Sequence, residues 1–178
     1  TKEVWLDEFG QDSCYVQDWG MVEINRSVVH TPLTVNGVVY ERGLGSHSIS
    51  RLLYDLGGKA VSISGLAGAD DKNLFAGKLQ FKILGDKKEL WKSGVMKKGD
   101  PVKEFNVNLK GIDKVLLLVE ECGDGIMYDH ADWLNVKIIT RGDVKPIPAW
   151  AKPVDKEKYI LTPPAPETPV INLSLIHI

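Results

Sequence analysis

The densest group of side chains able to do chemistry lies in GDGIMYDHADW, Gly123 to Trp133, where Asp124, Asp129, His130 and Asp132 stand beside Tyr128 and Trp133. Residues of these types serve three ends. Carboxylate oxygens are hard donors that suit Ca2+. An aromatic ring can lie on the apolar face of a sugar while carboxylate and imidazole bond its hydroxyls. The plainest alternative is a loop whose aspartates cap turns and whose tryptophan belongs to the core. The spacing is not that of an EF-hand, because the alternating Asp/Asn ladder is missing and no glutamate stands at the twelfth position.

Two further clusters bear on the same question. ERGLGSHSIS, Glu41 to Ser50, sets His47 between Ser46 and Ser48, with Gly43 and Gly45 letting the backbone bend. It carries neither the serine-hydrolase elbow nor a zinc-protease helix, and no Cys/His pair has ligand spacing. QDWGMVEINRS, Gln17 to Ser27, places Trp19 beside Gly20 as a candidate platform, with Glu23 and Arg26 close together. Arg and Glu can make paired hydrogen bonds to adjacent sugar hydroxyls, or simply form a surface ion pair on an edge strand. Asp70-Asp71 in GADDKN reads as a turn, and at most as a cation site. Asp129 with Asp132 also raises the possibility of a glycosidase, whose two carboxyls must face each other ~5–9.5 Å apart across a cleft. A protein-interaction sandwich is a third class that fold alone does not separate.

The elements that must position these residues read as strands. LQFKILG (79–85) and ELWKSGV (89–95) flank an Asp86-Lys87-Lys88 turn and form a hairpin. EFNVNL (104–109) alternates Phe105, Val107 and Leu109 with polar residues, and KVLLLVEE (114–121) is a continuous apolar run suited to a strand buried on both faces. TPLTVNGVVY (31–40) sets Asn36-Gly37 between β-branched residues, a strong hairpin signal. RLLYDLGG (51–58), KAVSISGLAG (59–68) and WLNVKIIT (133–140) complete an all-β set of eight or nine strands, a β-sandwich or jelly roll.

Composition agrees. The chain has 178 residues, 43% hydrophobic and 26% charged, which is enough for one real core. A net charge of −2 with dispersed Lys and Arg argues against nucleic acid and anionic membranes as partners. No apolar run approaches the ~20 residues needed to cross a bilayer. The opening TKEVWLDEF lacks a leader, which suggests a removed signal peptide or a fragment. Beyond Arg141 seven prolines accumulate, so residues 1–141 form the module and 142–172 a semi-rigid linker toward a further domain. LSLIHI (173–178) resembles translated adapter sequence and is set aside as non-native. Cys14 and Cys122 show no paired motif and read as small buried hydrophobes rather than a bridge.

Six blocks in order carry a family resemblance: WGMVEINRS, PLTVNGVVYERGLGSHSIS, LLYDLGG, AGADD, SGVM followed by GD, and GDGIMYDHADW. Over Val4 to Thr140 the chain resembles the NPCBM modules, the family 51 carbohydrate-binding modules appended to glycoside hydrolases. The resemblance implies a galactose-binding-like β-sandwich that recognises galactose-type sugars, with a bound Ca2+ supporting a loop. It makes Trp19, Glu23, Arg26, His47 and His130 the candidate sugar contacts, and Asp7, Asp129 and Asp132 the calcium neighbourhood. Trp133 begins a strand and is expected to be structural. Ile126 departs from the polar residue usual after GDG, which removes a hydrogen bond from that loop. The Pro-rich stretch resembles the segment leading into bacterial α-galactosidase-like catalytic domains. The expectation is therefore a non-catalytic, monomeric module that binds galactose-containing glycans. It would belong to a secreted or periplasmic bacterial glycoside hydrolase, with the catalytic domain on its C-terminal side.

Overall fold

The computed structural model describes residues 1–13, 16–74, 77–123, 125 and 129–148. In chain order these form β1 (Lys2–Trp5), a 3-10 segment (Leu6–Ser13), β2 (Val16–Gln17), β3 (Glu23–Ile24), β4 (Leu33–Val35), β5 (Val38–Tyr40), β6 (Gly43–His47) and β7 (Ser50–Asp55). There follow β8 (Ala60–Ala69), β9 (Leu79–Gly85), β10 (Lys88–Met96), β11 (Lys103–Asn108), β12 (Lys114–Glu121), β13 (His130–Thr140) and β14 (Lys145–Pro146). One sheet has the order β11-β8-β13-β6-β3, with β1 also on β13; the other has β10-β9-β12-β7-β14, with β2 on β7. All pairings are antiparallel, and β4 and β5 form a separate hairpin through Asn36 and Gly37, both at positive φ.

The two sheets close on one apolar layer. Trp133 stands between them, with the Phe81 ring edge-on at 5.0 Å and Phe105 at 5.8 Å. Leu44, Ile63 and Ile138 come from the first sheet, and Leu52, Tyr54, Ile83, Leu117 and Val119 from the second. β12 is buried on both faces, as its continuous apolar run implies. Val115, Leu117 and Val119 enter the main core, whereas Leu116 and Leu118 enter a second cluster with Ile49, Leu53 and Leu84. Trp19, Val16 and Ile147 pack on that second cluster.

The sandwich differs from the sequence expectation in two places. GLGSH is a fully buried strand rather than a glycine-rich bend. Its glycines answer to crowding: a Cβ on Gly45 would collide with the Arg26 carbonyl and Ser27, and one on Gly43 with the Trp133 carbonyl. The other difference is the end of the module, because Val144 is buried and Lys145–Pro146 pair with Asp55 and Tyr54 of β7. The fold therefore runs past Arg141 to Ile147. Proline is tolerated there because β14 is an edge strand. The rest of the Pro-rich stretch and the 173–178 tail lie outside the described residues, as do Cys14, Asp124, Ile126 and Tyr128. Cys122 is half-buried.

Candidate functional site

β6 and β13 are neighbours in register: His130 opposes His47, Asp132 opposes Gly45 and Trp133 opposes Leu44. Trp133 and Leu44 face the core, so strand alternation turns His47, Gly45, His130 and Asp132 to the outer face. β3 sets Glu23 opposite Gly45, hence on that same face. One strand over and two residues along, Glu23 lies roughly 8 Å from His47 on the sheet lattice.

Trp19 joins them from the segment after β2. Its ring centroid is 4.7 Å from His47 and 6.1 Å from His130, and the two imidazoles are 5.2 Å apart. The backbone holds this group in place. Gln17 Nε2 donates to the Trp19 carbonyl at 3.0 Å, and the His47 N–H donates to Gln17 Oε1 at 3.4 Å. His47 Nδ1 lies 2.8 Å from the Ser48 carbonyl.

The Glu23 carboxylate is almost buried and doubly engaged. Arg26 Nε and Nη2 both donate to Oε2 at 3.0 Å, while His30 Nε2 lies 2.7 Å from Oε1. Of the five residues expected to contact sugar, Glu23, His47 and His130 thus share one face of one sheet, Arg26 pairs with Glu23 there, and Trp19 meets the two imidazoles from the segment after β2, a strand of the other sheet. Sequence reasoning missed two contributors. His30 reaches Glu23 because a turn returns the chain, with the Ser27 N–H donating to the Thr31 carbonyl at 2.7 Å. Asn73 donates from Nδ2 to the His130 carbonyl and accepts from the His130 N–H, both at 2.7 Å. Its only sequence signal is membership of the GADDKN turn, which says nothing about a partner 57 residues away.

The three carboxylates expected around calcium are not brought together. Asp129 accepts from Ser48 Oγ at 2.6 Å. Asp132 lies within β13, opposite Gly45, whereas Asp129 precedes the strand. Asp7 is held by Arg42 Nε at 3.1 Å. Arg42 immediately precedes β6, about 16 Å from His47 along the strand. Among the described residues no three His, Cys, Asp or Glu side chains gather into a group able to hold a metal.

Asp132 has another neighbour. It is fully buried, and among the described residues neither carboxylate oxygen meets a donor. Burial first, then a hydrogen bond shared with Asp70 and the charges of Asp70 and Asp71, push its pKa well above the usual carboxylate range. A neutral, protonated Asp132 can donate to Asp70.

His47 and His130 are buried, whereas Trp19 is half-buried and the Arg26 guanidinium that holds Glu23 is exposed. An aromatic ring backed by two imidazoles, next to a carboxylate–guanidinium pair, combines apolar surface with directed polar groups, the needs of a hydroxyl-rich ligand. The fold and the site define a non-catalytic carbohydrate-binding β-sandwich. Residues 2–139 match the NPCBM/NEW2 domain, and the chain belongs to that family. The family 51 module of a Clostridium perfringens family 95 glycoside hydrolase, solved with methyl-galactose, is similar at TM-score 0.69 and 25% identity, covering 77% of this chain and 99% of that one. In the C. perfringens protein ZmpB, two such modules accompany an M60 catalytic domain; the likeness is 29% identity and TM-score 0.70, over 79% of this chain and 15% of that one. A putative endo-alpha-N-acetylgalactosaminidase of Renibacterium salmoninarum is 30% identical over 164 residues, 87% of this chain and 11% of the relative. Alpha-1,3-galactosidase B of Akkermansia muciniphila is 30% identical over 130 residues, 71% of this chain and 16% of the relative. The chain therefore spans a small part of the curated relatives that it matches.

Proposed function

We propose that this module binds galactose-type terminal sugars on the outer face of β6 and β13, and so holds an attached, α-galactosidase-like catalytic domain at its glycan. The observation that carries the reading is the Trp19 ring set against His47 and His130 on the face that also bears Glu23–Arg26. Support for galactose comes from the relatives, one solved with methyl-galactose and one named for cleaving α-1,3-galactosides. The reading places the module outside the bacterial cytoplasm, acting as a monomer. A shallow site with one ring supports affinities of about 10⁻⁴–10⁻³ M. A tether converts such weak binding into residence by raising effective concentration. A glycan array probed with the full chain in Ca2+ tests this: signal on terminal galactosides is the expected result. Silence from folded protein overturns it in favour of a protein-interaction sandwich.

Calcium belongs to the same proposal. Of the expected carboxylates, Asp132 suits a hard cation, since both oxygens are buried without a donor among the described residues and Asp70 stands beside it. Asp7 does not, because Arg42 already neutralises it. A cation bound only by the folded state raises the melting temperature by mass action. Ca2+ is accordingly expected to raise it and EDTA to lower it, whereas a melting curve indifferent to both removes the metal.

A further inference from the structure

Arg51 is the one arginine among the described residues that is fully buried, with 0% of its side chain accessible. It lies on β7 opposite Val16 of β2, and its Nη1 donates to Asp18 Oδ1 at 2.9 Å. No other acceptor among the described residues meets its Nε or Nη2. A buried guanidinium is costly unless paired, so Asp18 is held where Arg51 requires it. Asp18 is the residue before Trp19. Its own N–H donates to the Ile49 carbonyl at 3.1 Å, and Gln17 on its other side bridges the Trp19 carbonyl and the His47 N–H.

The ring that meets His47 and His130 thus hangs from a segment fixed at three consecutive residues. Gln17 and the Asp18 N–H hold it through ordinary hydrogen bonds. The remaining tie is the ion pair from β7, on the other sheet from His47, where Arg51 alternates with Leu53 of the second apolar cluster. We infer that the Arg51–Asp18 pair is a positioning device for the sugar site: it locks Trp19, carried by the β7 sheet, against the two imidazoles carried by the β6–β13 sheet. Arg51 does not touch the ligand; it acts through Asp18 on the platform. This inference rests on the carbohydrate-binding reading for its functional consequence, though not for the placement of Trp19.

The test uses the full chain labelled with 5-fluorotryptophan. The Trp19 resonance is assigned by its loss in Trp19→Phe, and galactose titrations are followed by calorimetry. Asp18→Asn and Arg51→Lys each keep one hydrogen bond but weaken the pair. The double change Arg51→Met with Asp18→Leu replaces the ion pair by apolar groups of similar volume, a swap that often leaves stability intact. The double variant is expected to melt within a few degrees of wild type. Its galactose affinity should nevertheless fall on the order of tenfold, with the Trp19 resonance shifted or broadened, and Arg51→Lys should recover part of both. A double variant that folds with an unmoved Trp19 resonance and unchanged affinity overturns the proposal. If it does not fold, the two single variants decide by the same resonance. Should wild type bind no sugar at all, the binding reading fails. A Trp19 resonance displaced in these variants would still show that the pair sets the ring, and an undisplaced one would end the inference too.

Discussion

Two arginine clusters beside β6 are built from the same residue types and come to different uses. Before the strand, Arg42 donates to Asp7 and Glu8 and lies 4.1 Å from the centroid of the Trp5 ring. Alongside the strand, Arg26 pairs with Glu23 opposite Gly45, and Trp19 lies against His47 and His130. In the first cluster the cation covers its own tryptophan, and the cluster satisfies itself. In the second, the guanidinium is turned to a carboxylate on the sheet face, and the tryptophan meets imidazoles instead. Both arginines make carboxylate hydrogen bonds of about the same length, so composition alone does not separate them. What separates them is which neighbour the sheet register supplies.

The sharpest way to break this comparison is to remove each kind of tryptophan. Trp133→Ala excavates the layer between the sheets and is expected to cost about 3–5 kcal/mol of stability, readable in a urea titration. A loss below ~1 kcal/mol would mean that the rings around it collapse into the space. Trp19→Ala should instead leave a folded protein, a few degrees less stable, whose galactose affinity falls by at least about tenfold, or ~1.4 kcal/mol. Unchanged affinity would sink the platform assignment.

A smaller and more pointed contrast concerns the two guanidinium groups. Arg26→Ala is expected to weaken galactose binding several-fold. Arg42→Ala should leave binding unaltered and lower stability by no more than ~1 kcal/mol, since partly exposed ion pairs contribute little. Equal effects of the two on calorimetric affinity would erase the functional distinction between the two clusters.

The smallest expected effect is a slope. With its pKa raised in the folded state, Asp132 binds a proton that the unfolded chain has already released. Stability from this source is fully present below the ordinary carboxylate pKa of about 4 and is lost as pH rises from there through the folded pKa. In EDTA, Asp132→Asn, a neutral isostere, should flatten that decline in a series of melts from pH 4 upward. An identical slope in the variant would assign the decline to other groups. Saturating Ca2+ should reverse the ranking if the cation sits on this carboxylate, because the amide then forfeits the ion.

Much of the fold was legible because its signals are local. The 79–95 hairpin, the Asn36-Gly37 turn and the two-faced burial of 114–121 each follow from alternation, turn chemistry or a run of apolar residues inside a short window. GLGSH was not legible as a strand, because its glycines answer to the carbonyl of Arg26 and the backbone around Trp133, residues far away in sequence. The end of the module was misplaced for a similar reason: a proline-rich composition outweighs Val144, whose burial depends on the edge of a sheet built by residues 50–55.

By itself, then, the order of residues determined an all-β sandwich and a short catalogue of ring, imidazole and ionic groups, since periodicity and residue chemistry are properties of neighbours along the chain. Only tertiary structure decided the membership of the site. Strand register put His47 beside His130 and Glu23 opposite Gly45, a turn brought His30 to Glu23, and Ser48 came to Asp129 across 81 residues of chain. A contact across strands is fixed by which residues oppose one another, and a shift of one residue would turn every one of these side chains to the other face.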